Sequence, residues 1–449
     1  MNSTQLLHRT IRSGPPLVVA GDGIFLIQED GRRIIDGSGG AAVACLGHGN
    51  ARVADAVARQ ARTMSYAHTS FFSSEPAEEL ASFLTEGRPG GLSHAFFVSS
   101  GSEAMEAAIK LARQYQLERG EGGRDRFIYR RQSYHGNTLG ALAITGHVAR
   151  RAPYEALLDP RHIAVSPCFP YREQEPEESD AAYVARLVEE LNQAFEKAGA
   201  GKIIAFVAET VVGATTGCVA PLPGYLKGVR EVCDRHGALL ILDEVMCGMG
   251  RTGTTHAWEQ EGVAPDIQTI AKGLGGGYQP IGGLLVQEHV IDLLAERSGI
   301  FVHGQTYQAH PVACAAALEV QRIIREGDLL ANVRSAGDHL QRALESHIGD
   351  HPFVGDIRGR GLFRGIEFVA DRETRRPFDP AVNFANIIKD ASFAEGLAIY
   401  PGSGTIDGVN GDHLLIAPPY WVDESMVGEI VSRLKVALDR ATAIVKGAA

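Results

Sequence analysis

The sequence predicts an α/β fold in which a mostly parallel, seven-stranded sheet is flanked by helices. From about residue 50, short apolar runs alternate with helical patterns, which is typical of parallel sheets with crossover helices. The chain has 449 residues, too many for one ordinary core, so we expect a second, smaller α+β domain. The seven predicted strands are 95–98, 127–129, 163–165, 203–208, 239–242, 267–271 and 283–286.

The two ends of the chain complete the predicted domain organisation. An Asp30-Gly31 pair between the apolar runs 24–28 and 32–36 predicts a hairpin, which we expect to pack with the small domain. A long helix at 311–325 is expected to lead from the large domain to the small one. The predicted division is an N-terminal arm and hairpin (1–55), a large domain carrying the candidate site (56–325) and a C-terminal small domain (326–449).

Composition and charge exclude several classes of partner. The net charge of −11 argues against nucleic acid, because phosphate binding needs a basic face. No apolar run approaches membrane-spanning length, and the first residues lack the apolar core of a secretory signal. The six cysteines form no metal-binding pattern and are interpreted as reduced thiols. We therefore expect a cytoplasmic protein without a metal, a nucleic-acid partner or a membrane.

Lys272 and Asp243 carry the main chemical signal of the sequence. Lys272 follows an apolar predicted strand and precedes a glycine-rich turn, while Asp243 ends another apolar strand. Pyridoxal phosphate needs such a pair, since a lysine binds its aldehyde and a carboxylate keeps its ring nitrogen protonated. A lone lysine is ordinarily a solvated surface residue, but the apolar strand before Lys272 argues against that alternative.

Two further segments follow predicted strands and could support such a cofactor. Gly101 and Ser102 open a helix whose free N–H groups can bind a phosphate, although many α/β helices begin in this way. Tyr134 could stack on a flat ring or be a partly buried tyrosine of a loop. His135 is interpreted as a hydrogen-bonding partner without a role in proton transfer.

Other candidate residues are weaker when taken singly. Glu209 ends a buried strand, where ligands of parallel sheets bind, but it could instead form a salt bridge with Arg251. Thr306 has a hydroxyl that could complete a phosphate site. Phe71 and Phe72 could line an apolar substrate pocket or pack in the core.

Taken together, these segments resemble the class III aminotransferases, a branch of the fold type I pyridoxal phosphate enzymes. The resemblance covers residues 20–440, and its six motifs occur in the family's order. They are Ser100-Gly101-Ser102-Glu103-Ala104, Tyr134-His135-Gly136, Asp243-Glu244-Val245, Gly248-x-Gly250-Arg251-Thr252-Gly253, Lys272-Gly273 and Gly304-x-Thr306-Tyr307.

The resemblance implies a role for each matching residue. Lys272 would hold the cofactor as a Schiff base and move the proton, and Asp243 would pair with the ring nitrogen. The cofactor's other contacts would come from Gly101, Ser102, Tyr134, His135, Glu209 and Val245, together with Thr306 from a partner subunit. The family also implies a homodimer that shares two active sites.

The departures from the family's pattern bear on the substrate. Met246 stands where many members carry glutamine, and Asn137 and Leu415 stand where members that bind α-carboxylates or 4-aminobutyrate have arginine. The stretch 377–432 contains no arginine, and an extended loop at 400–413 is predicted in place of the family's mobile arginine. Another residue must therefore bind a substrate carboxylate.

The sequence thus predicts a transaminase that moves an amino group from an ω-amino acid or amine to a keto acid such as pyruvate. Racemase, aminomutase or decarboxylase chemistry on the same cofactor and fold is the alternative, because reaction choice depends on the site's details. A non-catalytic binding protein is disfavoured by the intact Lys272 and Asp243.

Overall fold

The structure is a computed structural model that describes residues 5–11 and 14–447. Its first half contains β1 (Val18–Asp22), β2 (Phe25–Gln28), β3 (Arg33–Asp36), α1 (Gly39–Ala42), α2 (Ala51–Thr63), α3 (Glu75–Leu84), β4 (Leu92–Val98), α4 (Gly101–Glu118), β5 (Arg126–Arg130), α5 (Leu139–Ala143), α6 (Val148–Arg151), β6 (Ile163–Val165), α7 (Pro170–Glu173), α8 (Asp180–Ala198) and β7 (Ile203–Glu209). The second half contains α9 (Tyr225–His236), β8 (Leu239–Asp243), β9 (Ile267–Ile270), β10 (Gly282–Gln287), α10 (Glu288–Glu296), α11 (Pro311–Glu326), α12 (Leu329–Ile348), β11 (Val354–Arg360), β12 (Phe363–Phe368), α13 (Phe384–Ala394), β13 (Leu397–Ala398), β14 (Tyr400–Ser403), β15 (Asp412–Ile416) and α14 (Glu424–Gly447).

A seven-stranded sheet forms the centre of the fold, in the order β4-β10-β9-β8-β7-β5-β6. The neighbours from β9 through β6 pair in parallel, and β10 runs antiparallel to both β9 and β4. The predicted mostly parallel sheet of seven strands is therefore confirmed. Because β10 is reversed, β4 runs in the same direction as β9, and their carboxyl ends lie at the same edge.

The central strands are apolar on both faces because helices cover both sides of the sheet. Leu240 and Leu242 belong to one apolar cluster, and the alternating residues Leu239 and Ile241 belong to another. Successive side chains of a strand point to opposite faces, so a strand buried on both sides becomes a continuous apolar run. This explains why the sequence shows such runs where these strands occur.

Two smaller four-stranded sheets, β1-β2-β3-β13 and β11-β12-β15-β14, lie outside the central one. The predicted N-terminal hairpin appears as β2 and β3, and β3 pairs in parallel with β13, which joins the two ends of the chain. Ile24 and Ile35 share an apolar cluster with Leu397 and Leu438. The domain boundaries after residues 55 and 325 remain a proposal. Residues 1–4, 12–13 and 448–449 of the predicted terminal segments lie outside the described residues.

The segment 400–413, for which an extended loop was predicted, contains β14 and the start of β15 on either side of a turn at 404–411, which together form an antiparallel hairpin. Strands β14 and β15 pair in register, and the turn 404–411 connects them. Within the turn, the Gly404 N–H donates to the Gly411 carbonyl at 2.8 Å, and the Ile406 N–H donates to the Asn410 carbonyl at 2.9 Å. The glycine-rich composition suggested a loop, but these hydrogen bonds give the turn a defined shape.

His413 connects the turn of this hairpin to the segment that contains Ala214. Its Nδ1 lies 2.6 Å from the Thr405 hydroxyl, and its Nε2 lies 3.1 Å from the Ala214 carbonyl oxygen. With a proton on Nε2 alone, the ring donates to Ala214 and accepts from Thr405, so the neutral form satisfies both contacts. Burial lowers the pKa of His413 to about 3, with a further contribution from the Arg358 guanidinium.

All six cysteines are buried free thiols. Within residues 5–11 and 14–447, no helix is long and apolar enough to cross a bilayer.

We expect His413 to make the protein less stable in acid. A histidine whose folded pKa lies below its unfolded value of about 6.5 contributes stability above pH 6.5 and loses it as the pH falls toward the folded value. The free energy of unfolding in urea should therefore fall between pH 6.5 and 4, by at most about 1.4 kcal/mol per pH unit from this residue. His413→Gln, which keeps a donor for Ala214, should reduce this slope, whereas the exposed His347→Gln should not. An unchanged slope in His413→Gln would contradict the assignment.

Candidate active site

The register of the central sheet aligns polar residues at the carboxyl ends of three neighbouring strands. Glu209 of β7 is paired with Asp243 of β8, and Asp243 is paired with Thr269 of β9. Lys272 follows Thr269 by three residues. Ligands of open α/β sheets bind outside the carboxyl ends of strands. The sequence could place each residue at a strand end, and the register brings them to the same edge.

A cavity of about 700 Å³ opens at this edge, and most of the predicted site residues line it. The predicted residues that line it are Gly101, Ser102, Tyr134, His135, Glu209, Asp243, Val245 and Lys272. The structure thus gathers residues from five separate segments around one space, which has the size of a small-molecule site.

Lys272 lies in this cavity in a strained backbone conformation. Its φ of +43° falls in the left-handed region, which non-glycine residues adopt mainly where the surrounding structure requires it. Burial lowers its pKa, the carboxylates of Asp243 and Glu209 act in the opposite direction, and the Arg150 guanidinium lowers it further. Its Nζ forms no hydrogen bond or ion pair with the described residues, so the amine is available to a ligand.

Asp243 is held by two contacts that set the plane of its carboxylate. Its Oδ2 lies 2.8 Å from His135 Nδ1, and its Oδ1 accepts a hydrogen bond from the Val245 N–H at 3.0 Å. The Asp243 and His135 side chains are both buried. The aspartate therefore keeps a fixed orientation, and His135 acts on the cavity through Asp243.

Glu209 is a second buried carboxylate beside Asp243. Its oxygens accept from the Gly213 N–H at 3.1 Å and, weakly, from the Tyr134 N–H at 3.4 Å. Burial raises its pKa. The alternative of a salt bridge with Arg251 is wrong, because the Arg251 guanidinium donates to the carbonyls of Leu362 and Pro418 instead.

The start of α4 forms a potential anion site. The Ser100 hydroxyl accepts from the Glu103 N–H at 3.2 Å, and the Glu103 carboxylate accepts from the Ser99 N–H at 2.7 Å. A Cβ at Gly101 would lie only 2.8 Å from Val245 Cγ1, so glycine permits this close approach. The free N–H groups of this helix end can hold a phosphate.

Three predicted residues do not line the cavity in the single chain. Thr306 is exposed, and its carbonyl accepts from the Tyr66 hydroxyl at 3.0 Å. Phe71 and Phe72 are 78% and 66% exposed, so neither ring packs in the core of this chain. Their roles in the site stay predictions that involve a partner subunit.

The cavity also contains residues that the sequence analysis did not select. Arg9, His147 and Arg150 line it, as does the β14–β15 hairpin through Tyr400 and Val409. The sequence marked the segment 400–413 but not Arg9 or Arg150, since an arginine in a polar stretch is ordinarily a solvated surface residue. Met246, noted as a departure from the family's pattern, lines the cavity as well.

This set of groups fits pyridoxal phosphate. A lysine without a hydrogen-bonding partner can bind an aldehyde, and an oriented buried carboxylate can pair with a ring nitrogen. A helix start free of side-chain bulk can bind the phosphate, and an aromatic ring, Tyr134, is available for stacking.

We expect Glu209→Gln to extend covalent capture of the cofactor to lower pH. Glu209 raises the pKa of Lys272, so its removal should increase the neutral fraction of the amine at a given pH. The measurement is borohydride trapping of pyridoxal phosphate on the apoprotein across a pH series, quantified by mass spectrometry. Arg150→Gln should move the midpoint to higher pH, because Arg150 lowers the pKa of Lys272. Shifts of the same sign in both variants would contradict this electrostatic account.

Comparisons with known proteins agree with this geometry. The family model "Aminotransferase class-III" matches residues 11–438. An uncharacterized aminotransferase of Schizosaccharomyces pombe is 48% identical, over 96% of this chain and 94% of the relative. The diaminobutyrate–2-oxoglutarate transaminase of Halomonas elongata is 33% identical, over 95% of this chain and 90% of that one.

Solved structures give the same result. The omega transaminase of Pseudomonas jessenii, in complex with PMP, superposes with a TM-score of 0.92 and 32% identity, covering 99% of this chain and 98% of that one. Its likeness extends over the whole fold, and the resemblance drawn from the motifs is confirmed. The chain therefore belongs to the class-III aminotransferases, the pyridoxal-phosphate-dependent enzymes that transfer an amino group.

Proposed function

We propose that this transaminase takes the amino group of an ω-amino acid or amine and passes it to a keto acid such as pyruvate. The observation that carries the proposal is the shared cavity of Lys272 and Asp243, with neutral and apolar residues on the hairpin that closes it. The likeness to omega transaminases supports the donor class. Leu415 is buried in β15 and does not line the cavity, so this position provides no carboxylate-binding group.

The cofactor's contacts follow from the positions of the lining residues. Gly101 and Ser102 would hold the phosphate at the start of α4, and Tyr134 and Val245 would pack on the two faces of the ring. Asp243, oriented by His135, would keep the ring nitrogen protonated. When bound, the cofactor supplies an aldehyde for the amino group and a ring that accepts electrons from the bond being broken.

Lys272 would act as the general base of the reaction. Its lowered pKa gives it a larger neutral fraction near neutral pH than a solvated lysine has. With the cofactor and a donor bound, the neutral Nζ would take the proton released by the donor carbon, hold it and return it during the transfer of the amino group. Because a general base must be unprotonated to accept a proton, the lowered pKa favours this role.

We further propose a homodimer with shared sites, acting in the cytoplasm. Thr306 would reach the phosphate of the partner subunit's cofactor, and Phe71 and Phe72 would border the partner's substrate pocket. Exposed apolar side chains in the segments 66–72 and 300–307, which the hydrogen bond from Tyr66 to Thr306 connects, support this, since monomers rarely leave large apolar patches uncovered. They are Tyr66, Phe71, Phe72, Ile300, Val302 and Tyr307. The free thiols support a reducing compartment.

We expect amines and ω-amino acids to convert the purified enzyme's cofactor from the aldehyde form to the amine form without a keto acid. Each donor would be mixed with the yellow protein while the visible spectrum is recorded, and pyruvate should then restore the first spectrum and yield alanine. Lys272→Ala, the control, should not complete this cycle. Product formation without an amine form of the cofactor would instead indicate racemase, aminomutase or decarboxylase chemistry.

Asp243→Asn should retain the cofactor and lose at least about 100-fold in kcat, because a neutral amide does not stabilise a protonated ring nitrogen. Cofactor retention would be measured from the absorbance of the dialysed protein, and kcat with the best donor of the panel. A kcat within about threefold of the wild type would assign the ring-nitrogen contact to another residue.

A further inference from the structure

The cavity needs a cation for a substrate carboxylate, and few are present. Among the described residues that line it, the arginine and lysine side chains are Arg9, Arg150 and Lys272. Lys272 is committed to the cofactor in the proposed function. The hairpin that closes the cavity contributes no charged residue to its lining, as expected from the arginine-free stretch 377–432.

Arg150 is positioned by an aromatic ring and has no acidic partner. Its guanidinium lies 4.7 Å from the centre of the Tyr134 ring, and its Nη1 lies 3.4 Å from the Tyr134 hydroxyl, a long contact. No carboxylate within the described part of the chain forms an ion pair with it. The next residue, Arg151, differs, since it pairs with Glu155 and donates to three carbonyls of the chain.

The hairpin turn 404–411 packs against α6, the short helix that ends with Arg150 and Arg151. A Cβ at Gly408 would collide with the side chain of Val148, so the turn and the helix are in close contact. Val409 and Ser403 also line the cavity next to this contact. The turn therefore forms a neutral wall of the cavity, and α6 presents the cation beside it.

We propose that Arg150 binds the carboxylate of acidic substrates, both the ω-amino acid donor and the keto acid acceptor. This inference rests on the proposed function and identifies its specificity-determining residue. A guanidinium offers parallel N–H donors that match the two oxygens of a carboxylate, and apart from the long contact of Nη1 with the Tyr134 hydroxyl, those of Arg150 have no protein partner among the described residues. Arg9 is the rival cation, but it is exposed and belongs to the N-terminal arm.

The first experiment compares donors that differ only in the carboxylate. Each ω-amino acid from 3-aminopropanoate to 6-aminohexanoate would be paired with the alkylamine in which a methyl group replaces the carboxylate. Arg150→Gln should lower kcat/KM for each acid about 10- to 100-fold more than for its matched amine, mainly through KM, because an effect through the pKa of Lys272 acts on both donors alike. Arg150→Lys keeps the charge without the planar guanidinium. Its kcat/KM for the acids should lie between the values of the wild type and Arg150→Gln.

Binding without turnover provides the second readout. Calorimetry on the holoenzyme with hexanoate, which has no amino group, should give a Kd raised by a similar factor in Arg150→Gln. Arg131→Gln is the charge-matched control, since Arg131 lies outside this cavity and contacts Ser166 and Glu190. It should behave as the wild type.

The outcomes separate the proposal from its alternatives. Equal losses for acids and amines in Arg150→Gln would mean that Arg150 only positions Tyr134, and the proposal would be overturned. If Arg9→Gln, and not Arg150→Gln, loses the preference for acids over their matched amines, Arg9 binds the carboxylate and the proposal is overturned. If the wild-type enzyme transfers no amino group at all, the proposed function fails. The binding experiment tests this inference separately, since an unchanged Kd for hexanoate in Arg150→Gln would overturn it.

Discussion

The register of the parallel strands is the constraint on which the site depends. Glu209 and Asp243 face each other across β7 and β8, and Lys272 follows the residue paired with Asp243. A shift of one residue would turn every side chain of a strand to the opposite face of the sheet. The packing of these strands between two helical layers therefore also determines which groups reach the cavity.

This arrangement brings two carboxylates and an amine together at buried positions. Desolvation disfavours the charged forms of Lys272 and Glu209, because burial lowers the pKa of Lys272 and raises the pKa of Glu209. Asp243 is stabilised by His135 and the Val245 N–H, and Glu209 by weaker contacts with backbone N–H groups. The two carboxylates thus have different surroundings, although both raise the pKa of the lysine.

In our proposal, the hairpin and α6 form the part of the cavity that recognises the substrate. The hairpin 400–416 is held by backbone hydrogen bonds and by the buried His413, and its turn rests on α6. The hairpin lines the cavity with uncharged residues, so a cation must come from another element. Arg150, whose guanidinium lies over the Tyr134 ring, is that cation in our proposal, and it connects substrate binding to the residue that would contact the cofactor ring.

Much of the fold and the chemical centre followed from local features of the sequence. Strands buried on both faces and amphipathic helices have short-range periodicities, and Lys272 and Asp243 stand at strand ends where an apolar run stops. The reversed direction of β10, the pairing of β3 with β13, the contact of His135 with Asp243 and the position of Arg150 required the tertiary structure. Each joins residues distant in sequence, and no local pattern specifies which distant side chains will meet. The sequence alone therefore determined the fold class and the residues of the chemistry, and the tertiary structure decided which charges surround them.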